Sequence, residues 1–211
     1  MNKTSIAEIT RSQILPVITL NNVRDAEPLA DALKRAGMKV LEVTLRTEAS
    51  MDALAILASD PDLLVGVGSV TKIAQLEKAH LLGARFAVSP GILKHLVIGA
   101  EDLGITYLPG VATSSEIMLG IDCGLNTLKF FPSETLGGVS ALKALSGPFP
   151  DMNFIPTGGI NLENASNYLT QKNVLAIGGS WMVAPNLIER GAFEEITALT
   201  VAAIKQFTLE H

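Results

Sequence analysis

The segment VLEVTL, residues 40–45, places apolar side chains on both faces of a β-strand, and so does LLVGVGSV, residues 63–70. A strand that is apolar on both faces is typical of a parallel sheet that helices cover. Similar short runs recur along the chain with starts about 20–27 residues apart, roughly the length of one strand–helix unit. The sequence therefore predicts eight strands, at residues 15–20, 40–45, 64–70, 86–89, 106–112, 127–132, 153–160 and 174–181.

The intervals between these strands have helical patterns and recognisable helix ends. Segment 22–36 has Asn21 or Asn22 as its N-cap and Gly37 as its stop. Segment 113–122 opens with Thr113 and Glu116 at the spacing of a capping box. We expect further helices at residues 71–82, at 162–170 after Asn161 as a cap, at 2–11 and at 192–209.

Strands alternating with helices, with no linker between them, favour an α/β fold in which the strands close into a (β/α)8 TIM barrel. The extra helix at residues 2–11 would close the floor of the barrel. The chain has 211 residues, and such barrels run to about 200–250 residues as one domain, so we expect a single domain over residues 1–211. An open doubly wound sheet is the alternative, but no GxGxxG pattern follows the first strand.

The composition limits the classes of function. Apolar residues make up 48% of the chain, enough for a large core, and the net charge of −5 argues against a nucleic-acid partner. Cys123 is the single cysteine, which excludes an intrachain disulfide. The polar N-terminus does not resemble a signal peptide, and no apolar run approaches the ~20 residues of a membrane span. We therefore expect a cytoplasmic protein without a membrane partner.

Two charged residues fall inside apolar strands. Glu42 lies in VLEVTL and Lys129 in LKFFP, and neither side chain is buried in proteins without a partner or a function. An apolar setting favours the neutral amine of a lysine, which is the form that attacks a ketone to give a Schiff base. Two structural interpretations remain open at this point: an ion pair of Glu42 with Arg46 or another cation, and a Lys129 that extends to solvent.

Paired glycines follow the last two predicted strands, in PTGGI at residues 156–160 and in IGGSW at residues 177–181. Glycine lets backbone N–H groups approach a phosphate closely, and a following helix N-terminus would add a favourable dipole. Phosphate sites of α/β barrels often lie in these two loops. The pattern predicts a phosphate site, with Ser180 as a further donor.

Other polar or small residues near strand ends give weaker signals. Gly66 and Gly68 could simply relieve crowding in their strand, and Ser69 and Thr157 could bind substrate oxygens or satisfy backbone groups. No His, Asp, Glu or Cys cluster has metal-ligand spacing, which disfavours a metal-dependent enzyme.

Seven stretches in order, spanning nearly the whole chain, resemble the 2-dehydro-3-deoxy-phosphogluconate / 4-hydroxy-2-oxoglutarate (KDPG/KHG) aldolase family. LKFFP, PTGGI and IGGSW together are highly specific. The matching stretches are VLEVTLRT (40–47), VGVGSV (65–70), FAVSPG (86–91), LPGVATSSE (108–116), LKFFPSE (128–134), PTGGI (156–160) and IGGSW (177–181).

The resemblance implies a role for each matching residue. Lys129 would form the Schiff base with the substrate ketone, and Glu42 would be the general acid and base. Arg46 would hold the substrate carboxylate. The remaining implied residues are Ser69 and Thr157 on substrate oxygens, Pro90 and Phe131 as walls, and Gly158, Gly159, Gly179 and Ser180 on the phosphate. The family also implies a homotrimer with no metal or organic cofactor.

The resemblance further implies a substrate class, a small phosphorylated 2-keto acid. The expected reaction is cleavage of 2-dehydro-3-deoxy-6-phosphogluconate to pyruvate and glyceraldehyde 3-phosphate, with 4-hydroxy-2-oxoglutarate as a second substrate. Ser69 stands where the family pattern has Thr, and Ser133 stands where Ala is common. Thr157 is a position at which galactonate-type relatives differ, so its presence favours the gluconate-type substrate.

Three other functions share parts of this pattern. A 2-dehydro-3-deoxy-6-phosphogalactonate aldolase would use the same lysine. A phosphosugar isomerase or epimerase would use the paired glycines but needs no buried lysine. A non-catalytic sugar-phosphate binding protein would not need Lys129, Glu42 and Arg46 together.

Overall fold

The computed structural model describes residues 4–208 of the chain. Asn2, Lys3 and Leu209, at the ends of two predicted helices, lie outside the described residues, as do both ends of the expected domain. Within residues 4–208 the strands are β1 Ile14–Ile18, β2 Val40–Thr44, β3 Leu64–Gly68, β4 Phe86–Val88, β5 Thr106–Leu108, β6 Gly110–Val111, β7 Thr127–Phe130, β8 Asn153–Pro156 and β9 Ile177–Gly179. Each predicted strand is present, although most end one to four residues early.

Helices connect the strands, as the patterns predicted. They are α1 Ile6–Thr10, α2 Ala26–Arg35, α3 Ser50–Ser59, α4 Ile73–Leu81, α5 Lys94–Asp102, α6 Ser114–Asp122, α7 Gly138–Ser146, α8 Ala165–Leu169, α9 Pro185–Glu189 and α10 Phe193–Thr208. Short 3-10 turns lie at Val23–Asp25, Glu134–Leu136 and Trp181–Val183.

The helix ends test the predicted caps. The capping box of Thr113 and Glu116 is confirmed, because the Thr113 side chain accepts from the Glu116 N–H and the Glu116 carboxylate accepts in return. Asn22 occupies an N-cap position but makes no side-chain cap bond. Asn21 instead donates to Glu189 on α9, at 2.5 Å. The predicted asparagine cap is wrong because the chain enters α2 through a 3-10 turn.

The strands pair only in parallel fashion within the described residues. One sheet has the order β5-β4-β3-β2-β1-β9 and a second the order β6-β7-β8. The sequential order from β5 to β1 differs from the reversal at the centre of a doubly wound sheet, so the doubly wound alternative is wrong. The protein therefore has an α/β fold, and its parallel β-sheet is curled.

The predicted strand at residues 106–112 is divided by Pro109 into β5 and β6. Proline has no N–H and cannot donate to a sheet ladder, so the strand is interrupted there. The Pro109 carbonyl still accepts a hydrogen bond from the Lys129 N–H at 2.9 Å, which fixes the level of Lys129 relative to β5 and β6.

The core has two parts. The larger part lies between the strands and the helices and includes Ile18, Leu33, Val43 and Leu57. A smaller inner cluster contains residues from strands of both sheets, with Ile9 of α1 packed on them: Ile9, Leu15, Val40, Phe86, Val88, Leu108, Ile155 and Ala176. The inner cluster therefore joins the two sheets around a shared interior.

None of the helices within residues 4–208 is both long enough and apolar enough to cross a bilayer.

Candidate active site

The two charged residues predicted to be buried meet in the interior. Glu42 is on β2 and Lys129 is on β7, and these strands belong to different sheets. Nζ of Lys129 lies 3.5 Å from Oε1 of Glu42, and the residues are 5% and 1% exposed. The Lys129 side chain therefore does not extend to solvent, and the interpretation of it as a surface-reaching lysine is wrong.

The space for the Glu42 carboxylate comes from a glycine on the neighbouring strand. A Cβ atom added to Gly68 of β3 would overlap Oε1 of Glu42. On the lysine side, Nζ lies 5.2 Å from the centre of the Phe131 ring. The amine thus has one carboxylate and one aromatic face as neighbours.

Arg46 lies just beyond β2 and is exposed. Its Nε donates to Oγ of Ser69 at 3.3 Å, and Ser69 follows β3 with a positive φ of 61°. Among the described residues the ion-pair partner of Glu42 is Lys129, so the alternative pairing of Glu42 with Arg46 is wrong. The guanidinium is thus hydrogen-bonded to Ser69 and exposed.

Pro90 follows β4, at the same edge of the strands. A Cβ atom on Gly110 would overlap the Pro90 carbonyl oxygen, and Gly110 pairs in register with Lys129. The loop that carries Pro90 therefore lies next to the strand position of the lysine.

The two paired-glycine loops are adjacent. Thr157, which follows β8, forms an isolated parallel bridge with Gly178 of β9, and a Cβ atom on Gly178 would overlap Oγ1 of Thr157. Gly158 and Gly159 have positive φ values of 102° and 78°. The loop backbones thus adopt shapes that need glycine.

The helix N-terminus predicted to follow each loop is largely absent. Helix α8 begins at Ala165, several residues after Gly159, and only a 3-10 turn starts at Trp181 behind Ser180. A helix dipole acts through an adjacent first turn, so it contributes little here. Any anion bound at these loops would rely on backbone N–H groups and on the exposed Ser180 hydroxyl.

Two contacts beside the site had no clear sequence signal. Ser89 directly precedes Pro90, and its hydroxyl lies 2.7 Å from the hydroxyl of Tyr107. Burial raises the pKa of Tyr107 to about 12. Ser133 and Glu134, which follow β7, both contact Tyr168 of α8. Partners 18 to 35 residues apart in the chain leave no periodic pattern that could reveal them.

Within residues 4–208, no group of three or more His, Cys, Asp or Glu side chains is arranged to hold a metal ion. The buried charged pair is instead Lys129 and Glu42, and Arg46 lies just beyond the strand that carries Glu42. An α/β fold that buries a lysine amine beside a carboxylate at this edge has the arrangement of an enzyme that works through a lysine Schiff base.

Comparison with known proteins gives the family. The model of the "KDPG and KHG aldolase" family matches residues 6–199, and the chain belongs to this family. A 2-dehydro-3-deoxy-phosphogluconate aldolase of Dickeya dadantii is 46% identical over 96% of both chains. A KHG/KDPG aldolase of Escherichia coli K12 is 45% identical over 96% of both chains.

The same family includes a similar solved structure. It is the KDPG aldolase of Legionella pneumophila, with pyruvate captured at low pH as a covalent carbinolamine intermediate. That structure superimposes with a TM-score of 0.92 at 43% identity and covers 95% of this chain and 98% of its own.

Proposed function

We propose that this protein is a class I aldolase that cleaves 2-dehydro-3-deoxy-6-phosphogluconate to pyruvate and glyceraldehyde 3-phosphate. The observation that carries the proposal is the buried Lys129 amine 3.5 Å from the Glu42 carboxylate. Family membership supports it, as does the covalent pyruvate intermediate of the Legionella relative. An isomerase or epimerase would not need the buried amine.

The first half of the reaction forms the Schiff base. The neutral Lys129 amine attacks the C2 ketone and gives a carbinolamine. Glu42 passes a proton to the departing hydroxyl, directly or through water, and water leaves as the iminium forms. The positive iminium accepts electrons from the neighbouring bond, which lowers the barrier to cleavage.

The second half breaks the carbon–carbon bond. Glu42 takes the proton of the C4 hydroxyl, the C3–C4 electrons move into the iminium, and glyceraldehyde 3-phosphate leaves. The enamine that remains on Lys129 is protonated at C3, and water then hydrolyses the iminium to pyruvate and the free amine. A positioned acid and base of this kind contributes about 10²–10⁴-fold to the rate.

The proposed binding roles follow the position of each residue at the strand ends. Arg46 would bind the substrate carboxylate, because its guanidinium is exposed beside Ser69. Ser69 and Thr157 would contact substrate oxygens, and Pro90 and Phe131 would wall the site. The phosphate would be held by Gly158, Gly159, Gly179 and Ser180.

A second substrate is 4-hydroxy-2-oxoglutarate, which would yield pyruvate and glyoxylate. The name of the Escherichia coli relative combines both activities, which supports a shared site. The galactonate-type aldolase remains the alternative within this chemistry, and Thr157 favours the gluconate type.

The proposal extends to the architecture and the assembly. Bridges of Phe154 with Val174 and of Thr157 with Gly178 link β8 to the β9 segment, and only Pro109 separates β5 from β6. These links support a closed (β/α)8 barrel with α1 across its floor, in a single domain. We further propose a cytoplasmic homotrimer that uses no metal or organic cofactor.

One experiment tests the core of the proposal. The protein is incubated with pyruvate and sodium borohydride, which reduces a Schiff base to a stable secondary amine, and peptide mass spectrometry locates the adduct. We expect the adduct on Lys129. A folded protein that forms no adduct there would not be a class I aldolase, and the isomerase function would replace it.

A further inference from the structure

We propose that Ser133, Glu134 and Tyr168 form a positioning network that holds the Gly158–Gly159 loop in the shape that binds phosphate. The network would thereby set the preference of the enzyme for phosphorylated over unphosphorylated keto acids. The inference rests on the proposed function and assigns a task to three residues outside the site described above.

The backbone gives the first link between the network and the loop. Ser133 and Glu134 follow the strand that carries Lys129. The Ser133 N–H donates to the Thr157 carbonyl at 2.8 Å, and the Glu134 N–H donates to the Gly158 carbonyl at 3.1 Å. The segment after β7 therefore holds the loop after β8 by two consecutive hydrogen bonds.

The side chains give the second link. Tyr168 of α8 is fully buried, and its hydroxyl donates to Oε1 of Glu134. Ser133, also fully buried, donates its hydroxyl to the Tyr168 oxygen at 3.1 Å. A phenol has one proton and can accept as well as donate, so the chain runs from Ser133 through Tyr168 to Glu134.

Protonation keeps this chain in place. Burial, and next the hydrogen bond to Glu134, raise the pKa of Tyr168 to about 12. The raised pKa keeps the phenol proton available for the hydrogen bond to Glu134. A hydrogen bond to a charged acceptor is stronger than a neutral one.

Glycines let Glu134 pack directly on the loop. A Cβ atom on Gly159 would lie 2.6 Å from Cβ of Glu134 and 2.7 Å from its Cγ. A Cβ atom on Gly138 would lie 2.9 Å from both Oε1 of Glu134 and the Tyr168 hydroxyl. The Glu134 side chain thus lies directly against Gly159, where a residue with a Cβ atom would not fit.

A loop with two left-handed glycines has many other shapes available, and ordering it on binding would reduce affinity. Asn164 also holds the loop, because its Nδ2 donates to the Gly159 carbonyl at 3.1 Å. The network adds further support, so that backbone N–H groups are aligned before the phosphate arrives.

The test compares the Michaelis constants of two substrates in Tyr168→Phe. We expect KM for the phosphorylated six-carbon substrate to rise about tenfold, because a charge-assisted hydrogen bond is lost. KM for 4-hydroxy-2-oxoglutarate and the rate of pyruvate trapping on Lys129 should change less than about twofold, because neither involves the phosphate.

Variants of Glu134 separate positioning from folding. Glu134→Gln keeps an oxygen that accepts from Tyr168 and should retain most of the affinity. Glu134→Ala should raise the KM for the phosphorylated substrate as much as Tyr168→Phe does. The double variant should raise that KM no further than either single variant. Because Glu134 is exposed, its variants keep the test available even if Tyr168→Phe fails to fold. Ser133→Ala should raise KM by only about two- to threefold, since a neutral bond is lost.

Tyr107→Phe is the matched control. Tyr107 is also buried, has a serine partner at 2.7 Å and a pKa raised to about 12, but it lies on β5 rather than against the Gly158–Gly159 loop. Loss of the Tyr107 hydroxyl should leave the ratio of the KM values for the phosphorylated substrate and for 4-hydroxy-2-oxoglutarate unchanged.

Two outcomes overturn different statements. If the wild-type protein traps pyruvate but Tyr168→Phe and Glu134→Ala raise both KM values equally, the network only stabilises the fold and this inference is wrong. If the wild-type protein forms no pyruvate adduct, the proposed function itself is wrong, and the inference is lost with it.

Discussion

The Glu42–Lys129 pair in the interior and the Lys34–Asp60 pair on the outside differ in length and exposure. The buried pair is 3.5 Å apart with side chains 1% and 7% exposed. The outer pair is 2.6 Å apart with side chains 29% and 21% exposed. Burying two charges costs several kcal/mol, which only close geometry and additional hydrogen bonds repay.

The buried pair therefore lacks the geometry that would make it a good stabilising interaction. Its amine has one carboxylate, at 3.5 Å, and one aromatic ring, that of Phe131, as neighbours. The outer lysine, by contrast, has Asp60 at 2.6 Å and Asp31 at 3.3 Å. The comparison indicates that the outer pair holds helices together, while the inner pair is kept for its chemistry.

The largest expected effect is that of Lys129→Ala. Without the amine no Schiff base forms, so kcat should fall by more than about 10⁴-fold. The measurement is turnover, with borohydride trapping of pyruvate in parallel. Normal turnover in this variant would refute the assignment of the nucleophile.

Lys129→Ala also leaves Glu42 without its partner, which costs about 3–5 kcal/mol at a buried site when the charge stays. The double variant Lys129→Ala/Glu42→Gln is the control, because a neutral amide avoids that cost. It should unfold at a higher temperature than the single variant while remaining inactive.

The next effect is that of Glu42→Gln. The amide cannot move a proton, so kcat should fall by about 10²–10⁴-fold. The lysine remains, and a slower pyruvate adduct should still form on Lys129. A variant with unchanged kcat and a higher KM would show instead that Glu42 only binds substrate.

Gly68→Ala would change the geometry of the buried pair without removing a charge. The new methyl group would overlap Oε1 of Glu42, so the carboxylate must turn away from Lys129. We expect kcat to fall by about 10- to 100-fold, less than for full loss of the base. Gly147→Ala is the control, since its nearest neighbour would be 3.8 Å away. Equal kcat values in the two variants would argue against a required Glu42 position.

The smallest effect is expected for Lys34→Met at the outer pair. Activity should be unchanged, and Tm at neutral pH should fall by about 1–3 °C, as for a partly exposed ion pair. The hydrogen bond from Lys34 holds the pKa of Asp60 below its ordinary value. The Lys34–Asp60 pair therefore stabilises the fold at pH values above the ordinary pKa of about 4. This stabilisation is lost as the pH falls through the lowered pKa of Asp60.

Thermal unfolding of both proteins across this range measures the difference. The gap in Tm between wild type and Lys34→Met should close in strong acid. A gap that persists below the lowered pKa of Asp60 would mean that lost packing of the Lys34 side chain causes the change.

The strands and most helices could be predicted because their signals are local. Apolar runs on both faces, glycine stops and the Thr113 capping box depend on residues close together in the chain. The cap at Asn21 or Asn22 and the helix N-termini directly behind the glycine pairs were predicted wrongly, whereas Asn161 does accept from the N–H groups of Glu163 and Asn164. A local pattern does not determine whether a 3-10 turn precedes a helix, or whether the helix begins several residues later than expected.

Local patterns were enough to predict the repeated strand–helix units, the lysine and glutamate inside apolar strands, and the glycine pairs that follow the last two strands. Only the folded structure shows that Glu42 and Lys129, 87 residues apart, meet across the interior. It also shows that Tyr168 reaches Ser133 and Glu134. Burial and capping are properties of neighbouring residues, whereas distance across a curled sheet depends on strand order and register, which no short segment encodes.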